Sequence, residues 1–322
     1  MSARWLWFAG LALALLACET RGATAVWIDS DPSIGPPWRE VDDAFALLLA
    51  FHSPEVRIAG ISTTYGNVGL ARTTAVARDL VRRFGRPAGL TARDVSPGAG
   101  APGDFRQTAA SDALARALRQ ERLTYIALGP LTNLAAFLKL HPRLAQRIDK
   151  VIFVGGVSPG YTPAFGPTSA LRIHDANVVK DPGATAGVLA ASLPIVLAPV
   201  EISRQLAITP EDLRQLRASG PPGEFLARRT RAWIWFWTRL VGERGGLVFD
   251  VFAILPAIGG DLLATETRYA TLRGNELVAH QQRRPNARLV RFGVEVRGGT
   301  HTLVVRRLQG RGGMNGEHPP RR

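Results

Sequence analysis

Two acidic stretches lie close together near the start of the chain, Asp29-Ser30-Asp31-Pro32 and Asp42-Asp43-Ala44, and they constrain the fold more than any other feature. The first follows Ala25-Val26-Trp27-Ile28, an apolar run of the length expected for a buried strand. The second opens Ala44-Phe45-Ala46-Leu47-Leu48-Leu49-Ala50, which reads as a helix. A strand end and a helix start that meet at one edge of an α/β sheet mark the crevice where such sheets bind ligands. Carboxylates crowded at that point repel one another unless a cation sits between them. A hard, oxygen-seeking ion such as Ca²⁺ or Mg²⁺ meets that demand. The competing reading is that Asp42 and Asp43 only cap the helix and favour its dipole.

Strand and helix patterns alternate along the rest of the chain. Val56 to Thr64 reads as a strand, residues 69 to 84 as a helix, and Pro97 to Gly103 as a loop. A helix over 109 to 119 leads to a strand from Leu123 to Leu128, and Gly129-Pro130-Leu131-Thr132-Asn133 turns into another helix. Strands follow at Lys150 to Val154 and Ile195 to Leu197, with a helix from Asp181-Pro182 to about Ala191 between them. This alternation predicts an α/β fold: a mainly parallel central sheet flanked by helices, with a Rossmann-like core. Residues 265 to 307 read as shorter, alternating strands, an antiparallel edge.

The chain of 322 residues is 46% hydrophobic, enough to bury one full core, and no linker or repeat divides it. Its formal charge of +14 is carried almost wholly by arginine, since Lys139, Lys150 and Lys180 are its only lysines. The arginines are dispersed and no nucleic-acid module accompanies them, so nucleic acid is not an expected partner. At the N-terminus, Arg4 precedes an apolar run from Trp5 to Ala17, the pattern of an export signal. Its end, Leu15-Leu16-Ala17-Cys18, resembles the lipobox of bacterial lipoproteins, and Cys18 is the sole cysteine. The expected division is a signal peptide over 1–18, a linker over 19–25, one domain over 26–309 and a disordered tail over 310–322. A lipid anchor on the periplasmic side of a bacterial membrane follows, and it would be the only membrane contact. Cleavage after Ala23-Thr24-Ala25, leaving a soluble exported protein, is the alternative.

The ordered set Asp29-Ser30-Asp31-Pro32, Asp42-Asp43-Ala44, Thr63-Thr64-Tyr65-Gly66-Asn67, Gly129-Pro130-Leu131-Thr132-Asn133, Val154-Gly155-Gly156, Asp175-Ala176-Asn177 before Asp181-Pro182, and Asp250 before Val251-Phe252-Ala253 resembles the nucleoside hydrolase family. The resemblance covers nearly all of the chain after the signal. It implies hydrolysis of the N-glycosidic bond of ribonucleosides, with a Ca²⁺ ion holding the ribose and an attacking water. The implied metal ligands are Asp31, Asp43, the backbone carbonyl of Thr132 and Asp250, with Asp31 also the catalytic base. Asp42, Asn67, Asp175 and Asn177 would hold sugar hydroxyls, and Asp29 would orient its neighbours. Relatives often form dimers or tetramers, so a homo-oligomer is left open.

Three departures from the family pattern stand out. Ser33 to Val41 intervenes where the family has about two residues, and Trp38 within it becomes a candidate lid or base-stacking ring. Phe249 stands where many members have a histidine proposed to protonate the leaving base; His174 is the nearest substitute in sequence logic. Asp175 replaces a longer glutamate at the 5′ end of the ribose. Trp233 and Trp237, on one face of the aromatic run Trp233-Ile234-Trp235-Phe236-Trp237, are candidates to contact the nucleobase, with one of the rings expected to do so. Two rival readings are a haloacid-dehalogenase-type phosphatase, which leaves Gly129 to Asn133 unexplained, and a non-catalytic nucleoside- or sugar-binding lipoprotein on the same fold.

Overall fold

The apolar run at the first acidic motif becomes strand β1 (Thr24–Ser30), buried from Val26 to Ser30. Burial on both faces explains why this run shows no polar alternation: it is a central strand of a parallel sheet. A computed structural model of the chain describes residues 22–36 and 39–310. In it β1 lies between β2 (Val56–Thr63) and a later strand over Leu123–Ala127, both parallel to it. The remaining strands of the sheet, in chain order, are β3 (Val95–Pro97), β4 (the Leu123–Ala127 strand), β5 (Ile148–Val154), β6 (Ile195–Ala198), β7 (Leu263–Arg273), β8 (Glu276–His280) and β9 (Arg288–Val296). Among the described residues they form one nine-stranded sheet in the order β8-β7-β9-β6-β5-β4-β1-β2-β3. The strands from β3 to β6 run parallel, β9 joins them parallel to β6, and β7 pairs antiparallel with both β8 and β9. This is the expected α/β architecture. The order reverses at β1, whose neighbours β2 and β4 lead away in opposite directions, so a crevice opens at its carboxyl end.

Helix α1 (Asp42–Phe51) has all ten of its residues buried. A helix apolar around its whole circumference has to lie inside, and α1 packs against the helix Val251–Ile258. The flanking helix α2 (Leu70–Phe84) instead buries one stripe, Thr73, Thr74, Ala77, Leu80, Val81 and Phe84. Helices α3 (Ala109–Gln120) and α4 (Thr132–Leu140) match the expected positions.

Two expectations need correction. Pro97, expected to open a loop, instead ends the short edge strand Val95–Pro97, where proline is tolerated because no partner needs its missing N–H. Residues 265–307 are not all strand: β7 is eleven residues long, and Thr300–Leu308 is a helix burying Val304, Val305 and Leu308. The alternating pattern read as strand there gives way at Thr300 to packing on one helical face. The signal segment, Cys18, Pro37, Trp38 and the tail beyond Gly310 lie outside the described residues. No helix among those described is long and apolar enough to cross a membrane.

Candidate active site

The carboxyl end of β1 delivers Asp29, Ser30 and Asp31, and the start of α1 delivers Asp42 and Asp43, to one buried place. The N-cap residue of α1 is Val41, with no side-chain capping bond, so neither aspartate serves the helix as a cap. Asp43 Oδ1 accepts hydrogen bonds from Ser30 Oγ at 2.5 Å and from the Asp31 N–H at 3.0 Å. Asp42 Oδ2 accepts the Phe249 N–H at 3.1 Å. Asp250 opens the helix Val251–Ile258, again without a side-chain cap. Two helix N-termini therefore present their carboxylates to the same point, where the helix dipoles favour negative charge.

Asp31 is held by the loop after β2. Its Oδ2 accepts the Asn67 N–H at 2.7 Å and the Lys180 ammonium at 3.3 Å. A Cβ at Gly66 would lie 1.8 Å from Asp31 Oδ2, and one at Gly129 would lie 2.6 Å from Oδ1. The glycines of two motifs are thus required by how closely the backbone approaches this carboxylate. Asp29 sits one turn of pleat behind: its Oδ1 accepts Ser62 Oγ at 2.6 Å and Asn133 Nδ2 at 2.7 Å. Asn133 also accepts the Ala99 N–H at 2.7 Å, which ties the Pro/Gly-rich loop to the sheet.

Burial dominates the titration of these acids. Asp31 is pushed up to about 7 by burial and by the Asp43 charge, against the opposing pull of Lys180. Asp42 and Asp250 are raised well above the usual carboxylate range, first by burial and then by neighbouring acids. Asp43 is also raised by burial, with the Ser30 hydroxyl pulling the other way. Such a group of acids retains protons near neutrality unless a cation replaces them.

The chemistry of the donors fits a hard cation. One carboxylate oxygen from each of Glu40, Asp42, Asp43 and Asp250 lies within 4.8 Å of the others, the one such group among the described residues. That separation is about twice a Ca–O bond of roughly 2.4 Å, so a single ion can bridge the set. Asp43 and Asp250 were expected there. Glu40 and Asp42 were not expected as ligands, and Asp31 stands outside the quartet, one hydrogen bond from Asp43. Thr132 begins α4 with its hydroxyl donated to Asp181 Oδ2 at 2.6 Å, which leaves its main-chain oxygen as the group it could offer an ion.

A cavity of about 150 Å³ adjoins the acids, with Asp42, Asn67, Asp175, Asn177, Trp233 and Asp250 in its wall. It is smaller than the roughly 300–1,000 Å³ usual for small-molecule sites, and suits a sugar ring better than a whole nucleoside. A larger cavity of about 950 Å³ lies elsewhere, lined by Arg83, Phe225, Arg228, Arg229 and Arg231 with Glu224 as its one acid. None of the motif aspartates reaches it, so size and chemistry point to different places, and the chemistry decides.

Asp175 lines the small cavity, but its Oδ2 accepts the Gly156 N–H at 2.6 Å and its Oδ1 the Val178 N–H at 3.3 Å. Asn177 donates to the carbonyls of Leu128 at 2.7 Å and Val154 at 3.1 Å. His174 is exposed at the cavity wall. Trp233 is half-buried in that wall with Nε1 donating to the Leu247 carbonyl at 2.9 Å. Trp237 is 3% exposed, packed edge-on against Phe165 and Phe236 in a satellite core, and is absent from the cavity wall. Glu40 and Lys180 are charged side chains at the site that the sequence did not single out. Each sits within a segment read as connection, and only a Glu two residues before an Asp pair could have signalled the first.

A model of the inosine-uridine preferring nucleoside hydrolase family matches residues 26–302. The chain belongs to that family. Among curated members, the pyrimidine-specific ribonucleoside hydrolase RihA of Klebsiella pneumoniae is 27% identical over 227 residues, 62% of this chain and 68% of that protein. Matches of this kind span about two thirds of the curated relatives' length, 66% in a Schizosaccharomyces pombe protein. Two solved nucleoside hydrolases superpose with a TM-score of 0.74. One is a plant enzyme, 23% identical over 89% of this chain and 99% of its own; the other is a purine-preferring enzyme from Gardnerella vaginalis, 20% identical over 90% and 99%. This nucleoside hydrolase fold therefore carries a buried Asp/Glu cluster of a kind consistent with glycosidic-bond hydrolysis.

Proposed function

We propose that the chain hydrolyses the N-glycosidic bond of ribonucleosides, with Ca²⁺ held by the acidic quartet. The observation that carries this reading is the convergence of Glu40, Asp42, Asp43 and Asp250 on one bridgeable point beside a sugar-sized cavity. Bound there, the ion would fix the sugar diol and the attacking water and ease loss of a proton from that water.

The remaining steps belong to the chain's own side chains. Asp31 takes the proton from water; its position is set by the Asn67 N–H and by the close backbone of Gly66 and Gly129. As the bond to the base lengthens, positive charge grows on the ribose, and the surrounding carboxylates stabilise it in place. Asp42 and Asn67 orient the hydroxyls, and Asn177 shapes the wall through its two backbone bonds. Trp233 is the ring available to a nucleobase. Sequence alone supports placement at the cell envelope through acylated Cys18, for which loss of membrane fractionation in C18S is the test.

A second reading, nucleoside binding without turnover, draws on one feature: an ammonium already occupies Asp31 Oδ2. One assay separates the two. Release of free base from inosine, uridine, adenosine and cytidine is followed with CaCl₂ and with EGTA, for the wild type and Asp31→Ala. Turnover that needs calcium and falls by roughly 10²- to 10⁴-fold in the variant supports the hydrolase. Tight binding with no base release supports the binder, and wild-type turnover in the variant removes Asp31 from the base's role.

A further inference from the structure

Lys180 is a charged residue at this site that the hydrolytic scheme does not use. The chain has 40 basic residues, of which only three are lysines, yet a lysine and not an arginine stands here. The difference is physical: an ammonium is a compact point charge, whereas a guanidinium is a broad planar fork. Lys180 Nζ lies 3.3 Å from Asp31 Oδ2 and 3.1 Å from Asn67 Oδ1, and its side chain is 21% exposed. The backbone beneath it is fixed, because Tyr65 donates its hydroxyl to the Lys180 carbonyl at 3.3 Å and Asp181 caps the following helix through the Ala184 N–H at 2.8 Å. The ammonium tethered at this point opposes the rise in pKa of Asp31, Asp43, Asp175 and Asp250 alike.

We propose that Lys180 is a built-in counter-ion of the acidic site, holding Asp31 and Asn67 in place when no divalent ion is bound and opposing the entry of that ion. The inference rests on the calcium reading above. The ammonium bonds Asn67, which itself donates to Glu40 and Asp43 of the quartet, so its charge is close enough to repel an arriving Ca²⁺. Two consequences separate this role from simple packing. Without Lys180 the ion binds more tightly, because a like charge is gone. Without both Lys180 and the ion, Asp31 and Asn67 lose the ammonium's hydrogen bonds and counter-charge, and the protein loses stability. Lys180 is thus a positioning residue that sets the calcium concentration at which the site fills.

Calcium titration by calorimetry, together with thermal unfolding in EGTA, tests this on the wild type, Lys180→Met and Lys180→Gln. Both variants keep most of the stem, and Gln keeps a polar end should Met fold poorly. The expected result is calcium affinity raised by about tenfold or more in both variants, from relief of like-charge repulsion, with a lower Tm in EGTA that calcium restores. Unchanged or weaker calcium binding overturns the counter-ion role while leaving the site intact, since a lysine that merely packs would weaken the site when removed. Folded wild type and variants that all fail to bind calcium overturn the calcium reading itself.

Discussion

The Asn67 side-chain amide donates to Glu40 Oε2 at 2.8 Å, tying the segment between the two acidic motifs to the turn after β2. The same amide reaches Asp43 Oδ2 at 3.2 Å, and Glu40 Oε1 accepts the Asp42 N–H, so the glutamate supplies the bond at the head of α1 that Asp42 and Asp43 do not. The inserted segment is therefore a contributor to the site and not an interruption of it. Glu40→Gln keeps the shape but removes one charge from the quartet. Calcium affinity is expected to fall by about tenfold, on the scale set by ligand charge count, with Tm in EGTA unchanged or raised. Equal calcium binding in calorimetry would take Glu40 out of the ligand set.

Stability should depend on pH in a direction opposite to that of ordinary surface carboxylates. Asp29 and Asp175 are raised to about 6 and Asp31 to about 7, all by burial first. In the unfolded chain these acids ionise near 4. Between those values the native state holds protons that the unfolded state has released, so stability present at low pH is lost as pH rises toward 7. Calcium replaces the protons and binds better as they leave. Thermal scans in EGTA from pH 5 to 8 should show a falling Tm, and scans in CaCl₂ should show the fall abolished or reversed. A Tm in EGTA that climbs across this window would contradict the buried-acid account.

Trp233 and Trp237 should separate cleanly. Their rings meet edge-on at 5.8 Å between centroids, but only the first lines the cavity. Trp237→Ala opens a void in the satellite core and should cost about 3–5 kcal/mol in denaturant unfolding. Trp233→Ala should raise KM for nucleosides several-fold with a smaller loss of stability. The reverse assignment of effects would place the wrong ring at the base.

Phe249 packs at 6.3 Å from both Phe165 and Trp237 and offers the site no proton. Hydrolysis should therefore favour sugars bearing a good leaving group, such as an aryl riboside, over inosine. F249H should narrow that ratio by raising kcat on inosine, by up to the roughly 10²-fold usual for a positioned acid. An unchanged ratio would mean that leaving-group protonation comes from another residue, for which exposed His174 is the candidate at the cavity wall.

The sheet, its helices and the approach of Asp31, Asp42, Asp43 and Asp250 were legible because each motif closes a strand or opens a helix, and a parallel sheet gathers those ends on one edge. Lys180 and Glu40 were not legible, because their importance comes from Asn67, a partner 113 residues from one and 27 from the other. Nor could spacing say which of two tryptophans on one helical face turns inward; that depends on Phe165 and Leu247, delivered by separate segments. The edge strand Val95–Pro97 escaped because three residues carry too short a pattern to distinguish from a turn.

Because every residue of α1 is buried, Asp42 and Asp43 are rooted in close-packed core. Any shift of their carboxylates has to displace neighbours in the centre of the sheet packing. On the proposed function, a change of nucleobase then falls to Trp233, Phe249 and His174, which line the cavity wall but stand outside the acidic quartet.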